Sequence, residues 1–199
     1  MLLTCSEYCV KWLTKNNFLP EDDRPIYVYG FQLLLSTISS LTSILLISAC
    51  IKRLSYAMCF LLFFFVLRLF CGGYHAKTFV KCFIVTNLSF LMIVGITELI
   101  IITNFKFIIP IINLFSTAVI WIFAPVKNEN HPCSEKINKK NKSISRIISL
   151  TYSLVLFILF MFTDTVNIYI NSSICFLWVA LMILAEIFKC KGGENVEHN

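Results

Sequence analysis

The sequence predicts an all-α, polytopic membrane protein of about six transmembrane helices with an N-terminal interfacial amphipathic helix. Three observations predict it. Of 199 residues, 58% are hydrophobic and only 14% charged, whereas a water-soluble domain carries about 25% charged residues. With a mean hydropathy of +0.80, too little polar material is left to cover a surface facing water. The apolar residues gather in runs of about 20, the length a helix needs to cross roughly 30 Å of hydrocarbon, and the basic residues fall mostly between those runs. The 15% aromatic content excludes disorder. The length suits one domain covering residues 1–199.

Residues 1–30 form the interfacial segment. Glu7, Lys11 and Lys15 interrupt any apolar core, so no removable signal peptide is expected. Leu2, Leu3, Val10, Leu13, Phe18 and Leu19 alternate with polar residues, which suits a helix lying on a membrane surface; a frayed terminus is the plain alternative. The first span, residues 31–50, is charge-free. The second, 54–71, carries one charge, Arg68. After Gly72 and Gly73 comes a third over 82–103, interrupted only by Glu98, and a fourth over 107–126 with Pro110 and Pro125 near its ends. Residues 147–163 and 165–185, separated by Asp164, complete the set. The first two runs are short, and the last two could also form a re-entrant pair.

The distribution of Lys and Arg sets the orientation. With the N-terminus in the cytoplasm, the inner side receives Lys11, Lys15, Arg24, Lys77, Lys81, Lys189, Lys191 and a basic loop over residues 127–146 (Lys127, Lys136, Lys139, Lys140, Lys142, Arg146). The outer side receives Lys52, Arg53 and Lys106. This predicts a multi-pass protein of the cell membrane with both termini cytoplasmic. Lys52 and Arg53 depart from the rule and leave open whether the first hairpin crosses fully. The net charge of +6 is therefore a topology signal; membrane lipids are expected partners and nucleic acid is not. Nine cysteines without a CxxC pair read as small buried hydrophobes rather than a disulfide framework.

The densest polar feature at a membrane boundary is R-L-F-C-G-G-Y-H-A-K-T-F-V-K-C, residues 68–82. A plain connector would need only a few turn residues. His75 offers a base and Cys82 a nucleophile, and a catalytic thiol needs an imidazole or cationic surroundings to hold its thiolate. On one straight helix the two Cα atoms would lie about 10.5 Å apart along the axis, too far for a hydrogen bond of about 3 Å. The helix is therefore expected to begin near Thr78 as N-cap, with Gly72 and Gly73 folding His75 back over its first turn. Lys77 and Lys81 would then flank a thiol near a helix N-terminus. Arg68 either reaches lipid phosphate or pins the glycine loop or clamps a substrate carbonyl or carboxylate.

The residues alone leave alternatives open. A buried structural Cys beside a surface His is the commoner arrangement, and Cys71, His75 and Cys82 could form a three-donor metal site, though without structural-zinc spacing. His131 and Cys133 in the basic loop offer less. There is no HExxH, GxGD or G-x-S-x-G pattern. Glu98 lies about 24 Å beyond Cys82 along a continuous helix, and Glu186 is expected to pair with Lys189 one turn on, so a third catalytic member is not evident. A non-enzymatic transporter or partner-binding subunit is the rival reading, with Glu98 and Asn87 in its favour, although transporters place broken, polar helices at mid-membrane.

The same stretch resembles the signature of the accessory gene regulator protein B (AgrB) family, with Arg68, Gly73, His75-Ala76 and Cys82 at matching offsets. A second block, A-P-V-K-N-E-N-H-P from Ala124 to Pro132, resembles the family's segment at the end of the fourth span. The resemblance covers nearly the whole chain. It implies a membrane-embedded cysteine endopeptidase of quorum-sensing systems that cuts an AgrD-like propeptide and promotes closure of a thiolactone or lactone ring. Cys82 matches the nucleophile and His75 the base. Arg68 and Gly73 match positions associated with activity; Gly72 and Lys77 complete the loop. On this reading the active site faces the cytoplasm and uses no metal or cofactor, a homodimer is a candidate assembly, and Lys139, Lys140 and Lys142 attract an acidic propeptide tail by long-range steering.

Overall fold

The computed structural model describes residues 2–16, 18–21, 23–72, 78–126, 135–162 and 166–194. Among these every regular element is helical, as the composition predicts, and six helices are long and apolar enough to cross a membrane. They are preceded by α1 (Leu2–Lys15) and run α2 (Arg24–Cys50), α3 (Leu54–Cys71), α4 (Phe79–Ile102), α5 (Ile109–Phe123, entered through a 3-10 turn at Lys106–Ile108), α6 (Glu135–Phe162) and α7 (Val166–Glu194). The chain forms two compact units, residues 1–51 with 76–88, and residues 52–75 with 89–199.

In the first unit α1 packs against α2. Ser6 and Val10, one turn apart, are the buried contacts, and the Ser6 hydroxyl donates to the Leu3 carbonyl at 2.8 Å. Tyr8 and Trp12, also one turn apart, are exposed, and Trp12 stacks on Phe18 with ring centroids 6.4 Å apart. Exposed Tyr and Trp on a short amphipathic helix suit a headgroup-level position. Pro25 occupies the first turn of α2, where its missing N–H has no helical partner to lose. That starts the helix seven residues before the apolar run. Tyr29 on α2 meets Phe79 on the first turn of α4 at 5.8 Å.

In the second unit α7 is the centre: residues 169–176 are consecutively buried, with α3, α5 and α6 packed around it. The burial mixes Ile170, Ile174 and Phe176 with Asn171, Ser172 and Ser173. In lipid there is little hydrophobic drive between helices, so small and hydrogen-bonding residues mark the contacts. The Asn171 amide donates to the Thr97 hydroxyl at 3.3 Å and the Asn113 amide to the Tyr169 hydroxyl at 3.5 Å. Phe60, Phe64 and Phe90 form an aromatic cluster, with Phe60 4.5 Å from Phe64 and 5.4 Å from Phe90.

Midway along α3, Leu61–Phe65 takes a π-helical turn. Such a turn disturbs the regular carbonyl ladder, and Tyr152 of α6 donates its hydroxyl to the Leu62 carbonyl at 2.8 Å. Two expectations change. At 28 and 29 residues, α6 and α7 are each roughly 42 Å long, two full-length helices rather than a re-entrant pair. The basic stretch expected as a loop over 127–146 is helical from Glu135 onward. Lysine is a good helix former, no Pro or Gly intervenes between 135 and 162, and Ile137, Ile144 and Ile148 continue the apolar periodicity back from the membrane. Arg53, a departure from the charge rule, is paired: its Nε lies 2.8 Å from Glu98 Oε1, and its guanidinium sits 5.5 Å from the Tyr56 ring.

Candidate active site at the α3 to α4 connection

Gly73, His75 and Lys77 lie outside the described residues, as do His131 and Cys133. Helix ends flank the connection: α3 before it and α4 after it. On the first unit's side, α4 begins as the residues dictate: the Lys81 N–H donates to the Thr78 hydroxyl at 3.3 Å, and the Cys82 N–H donates to the Thr78 carbonyl at 3.0 Å. Thr78 is thus the N-cap, and Cys82 follows in the opening turns, half-buried, with Lys81 exposed beside it. The thiol is free.

On the second unit's side, α3 ends at Cys71, which is fully buried. Gly72 closes the helix with φ +70°, its N–H donating to the Arg68 carbonyl at 3.2 Å. A Cβ there would lie 2.9 Å from the Val126 carbonyl oxygen. Only glycine admits both the dihedral and the approach. The Val126 N–H donates to the Cys71 carbonyl at 3.1 Å, so the two sequence blocks noted above meet through backbone: the glycine turn docks on the Ala124-Pro125-Val126 segment, whose Ala124-Pro125 bond is cis. Sequence reasoning singled out both blocks but not their contact. The bridge runs backbone to backbone, so no residue type marks it in the sequence.

Arg68 is half-buried, with its guanidinium 5.4 Å from the Phe64 ring and Nη1 3.7 Å from the Met182 sulfur on α7. These contacts tie it to α3 and α7 within the second unit. One turn beyond Met182, Glu186 is 4% exposed and pairs with Lys189 at 3.4 Å. Lys139, Lys140 and Lys142 are exposed on the first turns of α6; Lys139 and Lys142 line a groove with Asn138 and residues 122–125, and Lys140 does not. Among the described residues no cluster of His, Cys, Asp or Glu could hold a metal ion. Glu98 is engaged by Arg53; the Asn87 amide nitrogen donates to the Phe83 carbonyl of its own helix at 2.9 Å, and its Oδ1 is buried without a hydrogen-bond partner among the described residues.

The sequence profile of the family Accessory gene regulator B matches residues 6–189. A protein named AgrB-like from Clostridium beijerinckii is 33% identical over 147 residues, 72% of this chain and 70% of that one. A second, from Clostridium perfringens (strain 13 / Type A), is 35% identical over 121 residues, 59% of this chain and 60% of that one. No solved structure matches. With the profile spanning all the membrane helices, from α2 to α7, the chain belongs to the Accessory gene regulator B family.

Proposed function

We propose that the chain is a membrane-embedded cysteine endopeptidase that cleaves an AgrD-like propeptide and promotes its cyclisation. The observation that carries this reading is Cys82: a free, half-buried thiol in the opening turns of a helix capped by Thr78, within the family's H-A-x5-C motif. Backbone N–H groups and the macrodipole at a helix start favour a nearby anion, and Lys81 adds positive charge.

The chemistry follows from these groups. His75 takes the proton of Cys82, and the thiolate attacks a propeptide carbonyl. As the carbon–nitrogen bond breaks, the imidazolium returns that proton to the leaving amine, and a thioester to Cys82 remains. A cysteine thiol or serine hydroxyl of the propeptide then attacks the thioester carbonyl, loses its proton to His75 and releases Cys82. The product is a thiolactone or lactone ring. A site at the membrane boundary that limits water favours closure over hydrolysis. Arg68 and Gly72 position the loop that carries Gly73, His75 and Lys77. Lys139, Lys140 and Lys142 steer an acidic propeptide toward it.

The test is co-expression of the full chain with a short propeptide encoded beside it, with mass measurement of products and of an acyl adduct on Cys82. Cys82→Ala and His75→Ala should each abolish cleavage while membrane insertion persists. Undiminished cleavage by Cys82→Ser would overturn the thiolate mechanism. Charge reversal at Lys139, Lys140 and Lys142 should slow processing most at low ionic strength; an equal rate at every salt concentration would remove the steering role.

A further inference from the structure

The groove at the start of α6 holds two of the lysines proposed to steer a propeptide, and its apolar wall is more than steering requires. It has a volume of about 480 Å³ and is lined by Ile122, Phe123, Ala124 and Pro125 from the end of α5 and by Asn138, Lys139 and Lys142 from α6. Both candidate spans meet their boundary here, one ending at Phe123 and the other beginning at Ile137. Among the described residues that line it none is acidic. Arg146, on the same helix face as Lys139 and Lys142, is anchored beside them, its Nε donating to the Trp121 carbonyl at 3.3 Å and its guanidinium 4.9 Å from the Trp121 ring. The pocket is cationic at one end and apolar at the other.

A second feature says what fills it. Ile111, Phe115, Ala118 and Ile122 follow one another at four-, three- and four-residue spacing and are all exposed. They make a continuous apolar stripe about 17 Å long on α5, running from the membrane interior into the groove at Ile122. A peptide carboxylate needs the cations alone; a phospholipid needs the cations and the stripe. Basic pockets between transmembrane helices are suited to anionic headgroups. We propose that this groove holds one anionic phospholipid, its phosphodiester between Lys139 and Lys142 and an acyl chain along the α5 stripe. The assignment does not depend on the peptidase reading, and lipid binding is read without propeptide.

The test uses the purified full chain in vesicles of phosphatidylcholine containing a minor fraction of phosphatidylglycerol, followed by native mass spectrometry of the lipid retained. The wild-type chain should keep phosphatidylglycerol at least about tenfold over its share of the mixture. The K139E/K142E variant should lose that preference, and K139Q/K142Q should lose most of it if charge reversal prevents folding. K140E, the same charge change outside the groove, should retain it. Phe115→Ser should weaken retention without altering headgroup preference. An unchanged preference in both lysine pairs, an equal loss in K140E, or complete displacement by millimolar inorganic phosphate or by an acidic peptide would each overturn the proposal.

Discussion

Gly72 shows how one absent methyl group organises a site. Its φ of +70° and the 2.9 Å approach to the Val126 carbonyl mean that Gly72→Ala must strain the turn and push two backbones apart, at a cost of about 1–3 kcal/mol. We expect a lower thermal midpoint in detergent and slower processing, with Val126→Ala close to wild type because the bridge uses its backbone. A Gly72→Ala chain of unchanged midpoint would show that the turn relaxes freely. The turn itself was legible from the paired glycines, and the Thr78 cap from a threonine ahead of an apolar run. The Val126 partner was not, because backbone hydrogen bonds between distant segments leave no residue-type signature. Cys71, beside the loop and a concern for thiol labelling, is fully buried, so water-soluble alkylating reagents should modify Cys82 well before it. Peptide mapping after brief alkylation checks the order.

Hydropathy reports where the chain enters lipid, not where a helix ends, and the elements differ from the apolar runs for that reason. Each of the six runs is helical over most of its described residues, but α2 begins at Arg24 and α6 at Glu135, both in polar sequence. The helical start of α6 is testable: Asn141→Pro removes a backbone donor inside it and should cost about 3 kcal/mol locally. Hydrogen exchange over residues 137–145 should then rise sharply while residues 150–160 keep their protection; no change would mean those turns are not helical in the membrane. The π-helical turn of α3 was illegible, since five consecutive bulky apolar residues at 61–65 fit a regular helix as well. Tyr152 tethers it by a single hydroxyl. Tyr152→Phe keeps the ring contact with Phe63 at 4.5 Å and removes the hydrogen bond, so a loss of about 0.5–1.5 kcal/mol is expected.

For the molecule as a whole, six crossings would put both termini on one side, and we propose from the lysine distribution that this side is the cytoplasm. The pairing of Arg53 with Glu98 accounts for a cation on the other side. A guanidinium bridged to a carboxylate and lying over the Tyr56 ring is held at the α2 to α3 turn by contacts rather than by the charge rule, which counts basic residues without their partners. The arrangement predicts two measurable things. Reporters fused to either terminus should be cytoplasmic, while one inserted at Asn104, in the exposed turn between α4 and α5, should be external. In Arg53→Ala, Glu98→Gln and the double variant, the coupling should stay below about 1 kcal/mol, because the side chains are 44% and 31% exposed and screened accordingly. If Arg53→Ala instead turned the N-terminal reporter outward, the first hairpin's orientation would rest on that one ion pair, and the lysines at the α6 end would not be what fixes the fold in the membrane.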